Sequence, residues 1–135
     1  MARKNADKSN ILPFLRYQNA PAAVAWLASA FGFEEQLVMP GPDGTIAHAQ
    51  MRLGPGVIML GSARDDDLGM KSPRELSGVN QGVYAYVKDV DAHFARVKAA
   101  GAEIVRTLAD TDGSREYCAR DLEGHLWSFG TYLPD

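Results

Sequence analysis

The chain contains itself twice, and this repeat restricts its fold more than any other feature. Phe31-Gly32-Phe33-Glu34 is matched by Ala100-Gly101-Ala102-Glu103, and Asp43-Gly44-Thr45 by Asp112-Gly113-Ser114, both at a spacing of 69. Arg52 with Gly56 is matched by Arg120 with Gly124 at a spacing of 68, and Tyr17 falls on Tyr86. One such match carries nothing. Several in the same order near one spacing predict two copies of one supersecondary unit.

Each copy reads as strand, helix, then three strands. In the first, Ile11 to Tyr17 is β-rich, Pro21 sits where a first helical turn tolerates it, and Val24, Leu27, Ala28 and Phe31 recur at helical spacing before Gly32. Strands are expected over 35–39, 45–53 and 57–61, separated by Pro/Gly/Asp turns. In the second, strand 82–87 precedes a helix capped by Asp89 or Asp91, with Val90, Phe94, Val97 and Ala100 on one stripe and Gly101 as its stop. Strands over 103–108, 114–120 and 125–132 complete it. The polar segment 63–79 reads as a hinge loop between modules 11–62 and 80–133, with 1–10 a flexible tail. Its acidic run Asp65, Asp66 and Asp67 fits a solvated surface better than a cation site, because consecutive side chains diverge.

The chain's 135 residues suit one domain large enough to need no staple, and a formal net charge of -3 argues against a nucleic-acid or anionic-membrane binder. No apolar run approaches membrane-spanning length, the start is polar, and the single Cys118 cannot form an intrachain disulfide. A cytoplasmic protein is expected.

The segment 115–129, REYCARDLEGHLWSF, gives the tandem βαβββ pattern its most specific piece. It resembles the penultimate strand, Asp-Pro-x-Gly turn and last strand of the bleomycin-resistance and PhnB-like branch of the vicinal oxygen chelate superfamily, with Leu122 in place of the usual Pro. That superfamily includes glyoxalase I, extradiol dioxygenases, fosfomycin-resistance enzymes and bleomycin-binding proteins. The resemblance, from about Ile11 to Leu133, implies an α+β fold whose modules form a curved mixed sheet or open barrel-like cleft. Metal-dependent members take their ligands from the first and last strands of each copy. Those positions correspond here to Leu12, Leu60, Gln81 (or Gly82) and Ser128, which do not make a first-row metal site. No metal and no cofactor are expected.

The candidate site comes from alternation. Ile46, His48, Gln50 and Arg52 share one strand face, and the repeat sends the last three to Glu116, Cys118 and Arg120. His48, Gln50, Arg52, Tyr84, Glu116, Cys118 and Arg120 are therefore the expected ligand-binding residues, with the arginines as guanidinium forks for a ligand acceptor. An internal ion pair of Glu116 with Arg52 or Arg120 is the competing reading. Tyr84, Tyr86 and Tyr117 can flank a flat ligand. His93 is expected partly exposed without a role, His125 structural, and Cys118 a packing residue rather than a nucleophile. The missing ligand set and the resemblance together imply a metal-independent homodimer binding and sequestering an amphipathic or aromatic compound such as an antibiotic. The alternatives are a metal-dependent lyase or isomerase of glyoxalase I type, and acid–base chemistry by His48 and Glu116.

Overall fold

Each repeat builds one four-stranded sheet with a helix across one face. The computed structural model describes residues 8–135, so most of the expected tail lies outside the described residues. In the first module, β1 (Phe14–Tyr17) runs parallel to β4 (Gly56–Ser62), followed by antiparallel β3 (Ile46–Leu53) and β2 (Glu34–Pro40). In the second, β5 (Gly82–Tyr86) runs parallel to β8 (Leu126–Gly130), followed by antiparallel β7 (Ser114–Arg120) and β6 (Glu103–Thr111). This is the expected α+β tandem βαβββ arrangement. The sheets remain two, of order β1-β4-β3-β2 and β5-β8-β7-β6, and do not close into a barrel. The segment expected as a hinge, 63–79, carries one short 3-10 turn, Pro73–Glu75. Among the described residues no helix is long and apolar enough to cross a membrane.

Helices α1 (Ala20–Trp26) and α2 (Val90–Ala99) start on side-chain caps, Asn19 accepting from the Ala22 amide and Asp89 from the Ala92 amide. Both helical segments end at a glycine in the left-handed region, Gly32 (φ 86) and Gly101 (φ 85). The caps are 70 residues apart and the glycines 69, so the first copy holds one extra residue. It is absorbed by a π turn over Leu27–Phe31 that continues α1.

That insertion corrects one correspondence. Tyr17 does not match Tyr86: at the spacing of the caps it matches Val87. Tyr17 is fully buried beside Leu15, whereas Tyr86 is 43% exposed on the opposite face of its sheet. A one-residue offset on a strand exchanges the faces.

The core faces of both sheets and both helices meet in one apolar cluster. Phe31, turned inward from the π turn, packs edge-on against Trp127 (5.3 Å between ring centres) and Phe129 (4.8 Å) of the other module. Polar groups seal the same junction. Arg96 donates to the Ala28 and Ser29 carbonyls and His93 Nε2 to the Phe31 carbonyl, so α2 takes up acceptors that the end of the first helical segment leaves open. His93 is thus partly exposed as expected, yet it ties the modules together. Its Nδ1 accepts from Tyr117, which is 1% exposed and core, not available to flank a ligand.

The turn after β7 is the second tie. Asp121 Oδ1 accepts the amides of Glu123, Gly124 and His125, and Oδ2 accepts the Tyr17 hydroxyl (2.6 Å) and the Trp127 indole N–H (3.0 Å). Glu123 accepts the Gln18 and Asn19 amides where the chain enters α1, and the buried Ser72 hydroxyl of the hinge. His125 is structural as expected: its Nε2 bonds the Arg16 carbonyl and its ring meets Tyr17 edge-on. With Leu122 in the position of the usual Pro, the turn is held by Asp121.

Candidate functional site

Strand pairing fixes which side chains share a face, because partners opposite one another point the same way. In the first sheet Leu15, Leu60, Ala49, Met51 and Ile58 face the core. The other face carries Phe14 and Arg16 of β1, Met59 of β4, His48, Gln50 and Arg52 of β3, and Leu37 and Met39 of β2 beyond a bulge. In the second sheet the corresponding outer face carries Tyr84, Tyr86, Ser128, Glu116, Cys118 and Arg120.

The two expected polar rows are therefore intact, each on its own sheet. Each sheet spends its other face on the shared core, so the rows are turned away from it, and no hydrogen bond joins one row to the other among the described residues. Among the described residues, neither Glu116 ion pair of the competing reading forms. Arg52 donates instead to Gln36, and Arg120 to Glu103 at 3.1 Å. Cys118 lies 2.9 Å from the Ser128 hydroxyl. Tyr84, 40% exposed, donates to the Tyr132 carbonyl; burial pushes its hydroxyl pKa up against the effect of that bond.

The first row is a directed network. Arg52 can only donate, so Gln36 presents its oxygen to the guanidinium and its amide nitrogen to Gln50 Oε1 at 3.0 Å. Gln50 then presents its nitrogen to His48 Nε2 at 3.1 Å. The neutral imidazole in this network accepts at Nε2 and carries its proton on Nδ1, a tautomer set from three side chains away.

Beside His48 a cavity of about 280 Å³ opens on this face, lined by Phe14, Arg16, Met59, Arg64 and Leu68 among others. Arg16 and Arg64 both reach Asp66 Oδ2, at 3.4 and 3.6 Å, so Asp66 is an arginine partner within the acidic run. The sequence reading missed this group. Alternation in β1 places Arg16 with Phe14, a signal available in principle; the approach of hinge residues Arg64 and Asp66 has no local signature. A larger cavity of about 660 Å³ lies along β1, β5 and the hinge, lined by Leu12, Lys71, Gln81 and His125 among others.

The positions expected to correspond to family metal ligands carry few donor atoms. Leu12 and Leu60 have no donor, Leu60 is buried in the core, and the Ser128 hydroxyl is engaged with Cys118. Among the described residues no group of three His, Cys, Asp or Glu comes together.

Comparison with known proteins gives consistent likenesses. The family model described as Glyoxalase/Bleomycin resistance protein/Dioxygenase superfamily matches residues 11–129. The uncharacterized protein Rv0887c of Mycobacterium tuberculosis is 36% identical over 121 residues, 87% of this chain and 71% of that protein. The crystal structure of TioX from Micromonospora sp. ML1 superposes with a TM-score of 0.74 at 38% identity, covering 94% of this chain and 98% of that one. The fosfomycin resistance protein FosX from Listeria monocytogenes, in complex with Mn(II) and sulfate, shares the fold at a TM-score of 0.66 and 14% identity, covering 93% of each chain.

Proposed function

Because the chain belongs to the glyoxalase/bleomycin resistance protein/dioxygenase superfamily, we propose that it is a metal-independent small-molecule binding protein that sequesters an amphipathic or aromatic compound, such as an antibiotic. The observation that carries this reading is the make-up of the two outer sheet faces. Phe14, Leu37, Met39, Tyr84 and Tyr86 are exposed there beside polar side chains already bonded to neighbours on their own sheet. Such a surface offers apolar area for affinity and a few fixed donors for orientation. The lack of any donor at Leu12 and Leu60 supports a route without an ion.

Both rows can contribute to one cleft only if a second chain brings its C-terminal sheet to the N-terminal sheet of the first, since each chain turns its rows away from its own core. The cleft thus belongs to a homodimer, with Arg52, Glu116 and Arg120 orienting the ligand, in a cytoplasmic protein.

The test is a melting-temperature series on purified protein with Ni(II), Zn(II), Mn(II) and Fe(II), with elemental analysis, followed by a panel of aromatic and amphipathic compounds and sedimentation with and without the best of them. A specific binder at a hundredfold excess over Kd stabilises by about 2.7 kcal/mol. The expected result is a compound that raises Tm, bound to a dimer, with no metal effect. A stoichiometric ion with a comparable rise would overturn metal independence, and an absence of binders across the panel would overturn sequestration.

A further inference from the structure

Arg16 is the most buried charge on the outer face of the first sheet, its side chain 7% exposed. Its two terminal nitrogens share a single oxygen of Asp66 at 3.4 Å each, well beyond the roughly 2.7–2.9 Å of a strong charge-assisted bond. Arg64 shares that same oxygen. Two guanidinium groups thus divide one carboxylate, whose other oxygen accepts the Leu68 amide. Within this trio one positive charge is in excess, and the neighbouring Asp65 and Asp67 are not in the lining of the cavity that Arg16 and Arg64 wall.

Gly61 makes the arrangement possible. A Cβ there would lie 3.2 Å from Arg64 Nη2 and 3.1 Å from the Ala47 carbonyl, so the bare backbone is what lets the Arg64 side chain cross β4 to reach that carbonyl. His48 adds a third donor, because the directed Gln36–Gln50 network occupies its Nε2 and puts the neutral-ring proton on Nδ1, for which no hydrogen bond is made among the described residues. Phe14, Met59 and Leu68 supply apolar lining between these groups. The cavity, about 280 Å³, is near the lower end for small-molecule sites, the size for one end of an amphipathic molecule.

We propose that this cavity is an anion-recognition subsite, in which Arg16 and Arg64, tethered by Asp66, and His48 take the carboxylate of an aromatic ligand whose ring lies against Phe14 and Met59. The subsite rests on the sequestration reading and specifies its ligand class: aromatic monoanions in preference to neutral or cationic compounds.

The test compares 2-naphthoate with its neutral isostere 2-naphthamide, by calorimetry and by NMR of the full chain. Naphthoate is expected to bind at least about tenfold more tightly, an advantage of about 1.4 kcal/mol, and to lose it in Arg64→Gln. Arg64 is 44% exposed at its side chain, so that substitution leaves the core untouched. Lys88→Gln, at an exposed cation outside both rows and both cavities, is the control and should leave the preference for the anion in place. Equal binding of the two probes, no binding of either, or a preference that survives Arg64→Gln overturns the subsite. Sequestration would still stand if a neutral or cationic compound from the panel bound tightly with no response to Arg64→Gln.

Discussion

Glu123→Gln is the substitution whose effect can be worked out most fully. The carboxylate is fully buried at its side chain and receives hydrogen bonds on both oxygens: Gln18 N–H at 2.6 Å and the Ser72 hydroxyl on Oε1, Asn19 N–H at 2.8 Å on Oε2. Glutamine has the same shape but one oxygen. If that oxygen keeps Gln18 and Ser72, the new NH2 must face the Asn19 N–H, donor against donor. A lost bond to a charged acceptor costs about 1.5–3 kcal/mol, and a buried donor left unpaired about 1–3 kcal/mol. Removing a buried charge offsets part of this, leaving about 2–4 kcal/mol. At about 4 °C per kcal/mol for a domain of this size, Tm should fall by about 8–16 °C.

The pH dependence provides the second half of the test. Burial pushes the Glu123 carboxyl up, but the bonds from Ser72, Asn19 and Gln18 and the Arg74 charge outweigh it and hold the pKa below the ordinary glutamate value. The unfolded chain, with a pKa of about 4.3, then takes up this proton before the folded one does. The carboxylate's contribution is complete above that pH and is lost as pH falls through the folded value. Urea unfolding of both proteins should show a large gap at neutral pH that narrows below about pH 4. A variant within about 0.5 kcal/mol of the parent at neutral pH, or a gap unchanged in acid, would refute the clamp.

Three further outcomes follow from the same contacts. His93 has its pKa lowered, chiefly by burial, so the folded state resists a proton that the unfolded chain accepts from about pH 6.5 downward. Stability should fall across that window, and His93→Gln should flatten the fall when urea midpoints are plotted against pH. Tyr17→Phe removes a 2.6 Å bond to Asp121 but leaves that carboxylate the Trp127 indole and three amides, so it should cost about 1–2 kcal/mol by urea denaturation and leave the fold intact. Cys118→Ser keeps a hydrogen-bonding group next to Ser128 and should leave ligand binding, read by calorimetry, within about twofold of the parent; a larger loss would mean that the thiol itself contacts the ligand.

The sequence by itself determined the local and periodic features. The helix cap at Asp89, the glycine stops, the paired Asp-Gly turns and the alternation that puts His48, Gln50 and Arg52 on one strand face are all set within a few residues of chain. The repeat supplied the modules, and it misled only at Tyr17 and Tyr86, where one inserted residue is absorbed by a π turn. Only the tertiary structure decided what each face meets. Alternation says that a side chain takes one side of its own sheet; it does not say whether that side meets a core, a hinge or solvent. Tyr117 was therefore legible as an aromatic on β7 but not as core, and the rows as polar but not as turned apart. The Asp121 and Glu123 clamp joins residues more than a hundred positions apart, and Arg16 meets Asp66 across fifty. Such contacts leave no local pattern, because they arise from how two separately encoded modules pack, and packing depends on the fit of whole surfaces.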